Sequence, residues 1–372
     1  MIHDFLVIGG GISGASVAYE LADDGTVLVL EAETSLGYHS TGRSAALFTP
    51  NFGGPVVRRI NIASAPFFAA PPDGFCDAPL LTRRGSLTVA DAGSVDKLPP
   101  LLAMSEPGAV VVEIAPKEAL ALAPYLRAER IAGALYEATV ADIDVAGLHQ
   151  GYLKAIVRRG GTIVTGEAAI EVQRRDGAWE VTTKRQTYRA RILVNAAGAW
   201  ADQIATLAGA TSIGLVPMRR TAIIVDAPDG LDMAASPAVD FVATGAYIKP
   251  DAGKLMASPG DATPTAPQDV QPEELDIAQL AHWIETETHI PVRRIAHSWA
   301  GLRSFVADQA PVVGFDPHVP DFFWLAAQGG YGIMMAPVLA RAAAALLLSR
   351  PTGDIGVDVD AISPRRPGVS AG

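Results

Sequence analysis

The sequence predicts an α/β fold: a discontinuous nucleotide-binding domain of Rossmann type, with a second sheet inserted between its pieces. Three observations predict it. A short apolar run, a glycine cluster, a helical run and a second apolar run follow one another within the first 31 residues. Runs of the buried-strand kind return near residues 190 and 325. The length, 372 residues, exceeds what one simple core needs and suits two interleaved domains.

Residues 5–8 are apolar, and from 12 to 22 Ala15, Ala18, Leu21 and Ala22 recur at helical spacing. Asp23, Asp24 and Gly25 end that helix, and residues 27–30 form a second buried strand. Strand, turn, helix and strand in so short a span make a βαβ unit with parallel strands. Further strands are expected at 87–89, 109–113, 162–165, 179–183, 191–195, 222–225 and 322–326. Helices are expected at 147–159, 200–208, 272–286 and 334–348. Segment 227–271, rich in Pro, Gly and Asp, holds few long periodic runs, and the tail 364–372 is expected to fray.

Composition narrows the function. With 49% hydrophobic and 19% charged residues the chain can bury a large core. A net charge of −11 disfavours nucleic acid and anionic membrane surfaces as partners. Cys76 is the single cysteine, so no internal disulfide forms and no oxidising compartment is needed. The N-terminus has no basic stretch ahead of its apolar strand, and no run reaches the roughly 18 apolar residues of a membrane span. These features lead to the expectation of a soluble, cytoplasmic protein. The seven histidines form no H-E-x-x-H or similar ligand cluster, so no metal is expected.

Gly9-Gly10-Gly11-Ile12-Ser13-Gly14 matches G-x-G-x-x-G. Gly9 allows the tight turn, Gly11 lets a pyrophosphate approach the helix N-terminus, and Gly14 brings helix and strand together. Glu31 ends the second strand 22 residues after Gly9, where a carboxylate accepts hydrogen bonds from an adenosine ribose. This unit fits NAD as well as FAD. The run GYHSTGRSAA at 37–46 combines small residues, hydroxyls and one arginine, which suits packing against a large ring system. LVNAAGAW at 193–200 and AAQGGYGI at 326–333 are buried strands entering small-residue turns. Such turns at the ends of parallel strands converge where ligands bind.

These stretches, with DIDVAGLHQGYLKAI, YIKPDAG, DVQPEELDIA and WAGLRSFVAD, carry a resemblance that runs from residue 5 to about 366. The chain resembles the FAD-dependent D-amino-acid oxidase superfamily and, within it, the bacterial D-arginine dehydrogenases. The resemblance implies a FAD-binding domain of residues 1–78, 141–212 and 296–372, interleaved with a substrate domain of 79–140 and 213–295 built on a mixed β-sheet. It implies non-covalent FAD held by Gly9, Gly11, Ser13, Gly14, Glu31, Ala32, Ser40, Thr41, Arg43, Ser44, Ala45, Ala46, Ala169, Ala197, Gly198, Trp200, Gly329, Gly330, Tyr331, Gly332 and Ile333. His39 is expected to touch this region structurally.

The implied reaction is oxidative deamination of a D-amino acid, by hydride transfer from Cα to flavin N5. The imino acid is then hydrolysed to a 2-oxo acid and ammonia. Arg220 and Arg303 match carboxylate-binding arginines, Tyr247 a tyrosine lid, and Gly330 a backbone contact to substrate. A substrate carboxylate in a partly dry pocket needs such charged partners. Arg219 is adjacent to Arg220, and only one of the two can face the pocket from a strand.

The pocket departs from the arginine-using pattern. Ser86 replaces the glutamate for the substrate guanidinium, Leu47 a histidine, and Phe52 a second tyrosine. An unpartnered buried guanidinium costs about 3–5 kcal/mol, so the expected substrate has a neutral or apolar side chain. Asp240 stands at a pocket-wall position; turned inward it restores an acid, turned outward it is solvated like most isolated aspartates. Other readings are oxidation of a secondary or N-methylated amine or a 2-hydroxy acid, and a non-catalytic flavin-binding subunit. The electron acceptor, oxygen or a quinone, is left open.

Overall fold

The computed structural model describes residues 1–106, 109–231 and 233–369. Strand Ile2–Ile8 lies between Val27–Leu30 and Thr187–Asn195 and runs parallel to both. Alternation along these strands sends Phe5, Val7, Val27 and Val29 into one core and Leu6, Ile8, Leu28 and Leu30 into another. Both faces of this eight-stranded sheet are therefore covered, as parallel strands require. Thr162–Val164 extends the sheet beyond Val27–Leu30. Thr187–Asn195 pairs with Ala178–Thr182 through its first half and with Phe322–Ala326 at its end. Helices Ile12–Leu21, Val145–Arg158 and Gly332–Leu347 contribute to the core on the first face.

The second sheet has nine strands. From one edge run Ile295–Phe305, Val216–Asp226, Lys254–Ser258, Tyr247–Asp251, Ala238–Phe241, Ser86–Ala90, Gly133–Glu137 and Val111–Ile114, with Thr263–Pro264 also against Val216–Asp226. The pair Ala238–Phe241 and Ser86–Ala90 is parallel and its neighbours are antiparallel, so the sheet is mixed. One face packs Leu87, Val239, Ile248 and Leu255 with helix Glu274–Glu287. The other face is left for the site.

Several expectations change. Segment 227–271 supplies three strands of four or five residues, too short for a periodic run to show. The strand expected at 222–225 is the end of the 11-residue Val216–Asp226. Helix Pro55–Ala69, with Pro66 inside it, was not foreseen. The tail does not fray within the described residues: Val369 is buried in the second core and Arg366 Nε donates to Asp308 Oδ2 at 2.7 Å. Residues 370–372 of that expectation lie outside the described residues. Strand Ile295–Phe305 pairs along Val216–Asp226 from Ile295 to Phe305. This strand, in a part of the chain expected in the FAD-binding domain, therefore belongs to the second sheet.

Candidate active site

A cavity of about 770 Å³ runs from the Gly9 turn to the open face of the second sheet. At its first end the chain has no room for side chains. A methyl on Gly14 would meet Gly9 O at 1.8 Å, and one on Gly9 would meet Ala196 O at 2.4 Å. Gly9 also has φ +108°, which favours glycine. Gly11 brings no capping side chain to helix Ile12–Leu21, and beyond the Ile12 N–H, which Thr41 Oγ1 takes, the next N–H groups of its first turn can receive an anion. The Glu31 carboxylate is fixed by Gly10 N–H at 2.7 Å and Glu33 N–H at 2.8 Å, and it faces the cavity.

The 37–46 loop wraps the middle of the cavity, but its polar groups serve mainly to hold the loop. Ser40 Oγ donates to Leu302 O at 2.7 Å, Thr41 Oγ1 accepts from Ile12 N–H at 3.0 Å, and Ser44 Oγ accepts from Ala46 N–H at 3.0 Å. Arg43 donates to Val270 O and Ala300 O and pairs with Asp269. These four residues line the cavity, as do Ala45 and Ala46. His39 lines it too, bonded to Glu33 Oε1 at 2.9 Å and 4.5 Å from the Trp200 ring.

At the far end, register sets the chemistry. Arg219 and Arg220 are neighbours on strand Val216–Asp226, and they separate: Arg219 pairs with Glu273 and Asp276, while Arg220 lines the cavity. Arg220 Nε donates to the carbonyl of Asp261, whose carboxylate accepts from Thr221 N–H at 2.7 Å. Burial, then the charge of Arg303, lowers the Arg220 pKa to about 10. Arg303 reaches the same space against Gly330, placed there because Gly329 N–H donates to Ser304 O at 2.9 Å. Among the described residues the Arg303 side chain has no hydrogen bond or ion pair. Two guanidinium groups with so little compensation favour an anion between them.

Tyr247 also lines the cavity, on a strand rather than a mobile loop. Asp240 faces inward and accepts from Ser86 Oγ at 3.0 Å. Burial pushes its carboxyl up to about 6. Leu47 and Phe52 line the same space, with Phe52 at the mouth, 45% exposed and edge-on to Tyr331 at 5.3 Å.

Of the other expected cofactor contacts, Ser13, Ala32, Ala169, Ala197, Gly198, Trp200, Gly329, Gly332 and Ile333 line the cavity. Gly14 and Tyr331 do not. Gly14 is consumed in packing on Gly9, and the Tyr331 ring is beside Phe52 and Phe305. Sequence reasoning missed His149, whose Nε2 is 2.9 Å from Gly10 O, and Asp261, behind Arg220. It also missed Glu137, a buried cavity residue that accepts from Thr139 Oγ1 at 3.2 Å. No local sequence pattern marks these three.

The model of one family, described as FAD dependent oxidoreductase, matches residues 4–346. The chain belongs to this FAD-dependent oxidoreductase (DAO) family. FAD-dependent oxidoreductase domain-containing protein 1 of Bos taurus is 25% identical over 93% of this chain and 81% of that relative. Glycine oxidase of Geobacillus kaustophilus is 22% identical over 96% of this chain and 99% of its own. Its crystal structure superposes with a TM-score of 0.84, covering 98% of both chains. An L-alpha-glycerophosphate oxidase of Mycoplasma pneumoniae with FAD bound, 19% identical, gives 0.83 over 96% of this chain and 98% of that one. FAD is the cofactor of this oxidoreductase, and the glycine turn, the helix N-terminus after it and fixed Glu31 fit it. Among the described residues no helix is long and apolar enough to cross a membrane.

Proposed function

We propose that this oxidoreductase oxidises an amino acid, a D-amino acid in particular, at the carbon bearing the amine. The observation that carries the reading is the pair of cavity guanidinium groups, Arg220 and Arg303, the second with no hydrogen bond or ion pair among the described residues. They would seize the substrate carboxylate, two-pronged from Arg303, and so orient Cα. Asp261 and Gly330 would hold the arginines in place, and Tyr247 would close the wall beside them. FAD, when bound, supplies a hydride acceptor. The amine loses a proton, leaving an imino acid that water hydrolyses to a 2-oxo acid and ammonia. The D configuration rests on the resemblance of the motifs. Ser86, Leu47 and Phe52, which led to the expectation of a neutral or apolar side chain, share the cavity with Asp240 and Glu137.

A second reading, oxidation of glycine or a secondary amine, is favoured by the similarity to glycine oxidase; the same clamp would serve it. Anaerobic bleaching of the yellow holoenzyme tests both. D-amino acids reduce the flavin under the first reading. Reduction only by glycine, sarcosine or a 2-hydroxy acid would favour the second class. No reduction by any of them would point to a non-catalytic flavin protein.

A further inference from the structure

Successive strands of the second sheet present Arg220, Met256, Tyr247, Asp240, Ser86 and Glu137 to one cavity. Asp240 is directly opposite Tyr247 in the ladder, and Ser86 directly opposite Glu137. Three strand spacings, roughly 14 Å in all, separate the strand of Arg220 from that of Asp240. The amine of an amino acid is adjacent to its carboxylate. A substrate clamped by the arginines therefore keeps its amine near them, and the two acids meet the end of its side chain.

We infer that Asp240 and Glu137, with Ser86, form a subsite for a positively charged group at the far end of the substrate side chain, an ammonium or a guanidinium. This rests on the amino-acid reading above. No cationic side chain pairs with either acid among the described residues: Asp240 accepts from Ser86 and Glu137 from Thr139. Arg58, which also lines the cavity, is held by Gly53 O at 2.7 Å and by Met104 O at 2.6 Å. Tyr247 supplies an independent observation. It is only 9% exposed and lines the cavity, opposite Asp240 in the ladder and within the field of Arg220, and its hydroxyl has no hydrogen-bond partner among the described residues. The hydroxyl opens on the cavity rather than being sealed in the core, so it can meet a polar group of a ligand there. Burial raises both carboxyl pKa values, and a cation beside them would oppose that shift. Asp240 and Glu137 stand on the two strands that flank the strand of Ser86.

The test compares pairs of similar length on the holoenzyme: D-arginine with D-citrulline, and D-lysine with D-norleucine. The second-order rate of anaerobic flavin bleaching should favour the cationic member at least about tenfold, the worth of a hydrogen bond to a charged group. Asp240→Asn and Glu137→Gln should each pull that ratio towards one. A ratio does not depend on how much variant folds, and either variant suffices if the other is insoluble. Neutral members matching or beating the cationic ones would overturn the subsite and leave the amino-acid reading standing. Failure of all four, with bleaching by glycine or sarcosine, would remove that reading and the subsite together.

Discussion

Gly330 lies so close to Arg303 that a methyl on it would stand 3.0 Å from Cδ and 3.2 Å from Cζ of the arginine. The glycine leaves the guanidinium its place in the cavity. Gly330→Ala should push the arginine aside and lower kcat/KM for carboxylate substrates. Arg303→Lys should lower it at least about tenfold, since an ammonium cannot make the two-pronged grip. Steady-state kinetics on the best substrate decide this, and a change below about threefold would put the clamp elsewhere.

Arg219 should behave differently from its neighbour. It ties Val216–Asp226 to the start of helix Glu274–Glu287 through Glu273 and Asp276. Glu273 is 60% exposed, which weakens that pair. Arg219→Ala should cost about 1–2 kcal/mol, seen as a few degrees in Tm. Arg220→Ala should act first on substrate affinity. Equal rises in KM in both variants would contradict the separation of the two side chains.

Gly14 tests the cofactor end. Gly14→Ala would place Cβ 1.8 Å from Gly9 O, a distance no side-chain rotation relieves. The purified variant should be colourless or insoluble. Absorbance near the flavin bands reads the outcome, and a fully yellow variant would mean that helix and strand can part without cost.

His149 carries a pH dependence. It is buried with Nε2 on Gly10 O, and burial lowers its pKa below the usual value. The unfolded chain then binds the proton more readily, so stability present above the unfolded pKa of about 6.5 falls as pH drops below it. His149→Gln should remove part of that fall between about pH 6.5 and 5. Thermal melts of the holoenzyme across this range provide the measurement; identical pH profiles would exclude His149 as a source.

Much of the architecture was legible because its signals are local. Residues 27–30 and 322–326 are unbroken apolar runs, and both are strands at those bounds. The helix expected at 147–159 appears as Val145–Arg158. Helix Pro55–Ala69 was hidden by its two prolines, one at its start, where proline costs nothing, and one inside. Strand Ile295–Phe305 was hidden because half its length is polar or exposed and its pairing partner is some 80 positions away in sequence. Within the site, the glycines and Glu31 announced themselves by spacing, whereas Glu137 and Asp261 had no pattern to show.

By itself the sequence determined the βαβ entry, the nucleotide turn and the α/β class, since apolar period and glycine spacing act over a few residues. Only the tertiary structure decided that Arg220 rather than Arg219 enters the cavity, that Asp240 turns inward, and that Glu137 joins it. The reason is physical: which side of a strand is buried depends on what covers it. In this protein the covering segments come from parts of the chain far apart in sequence.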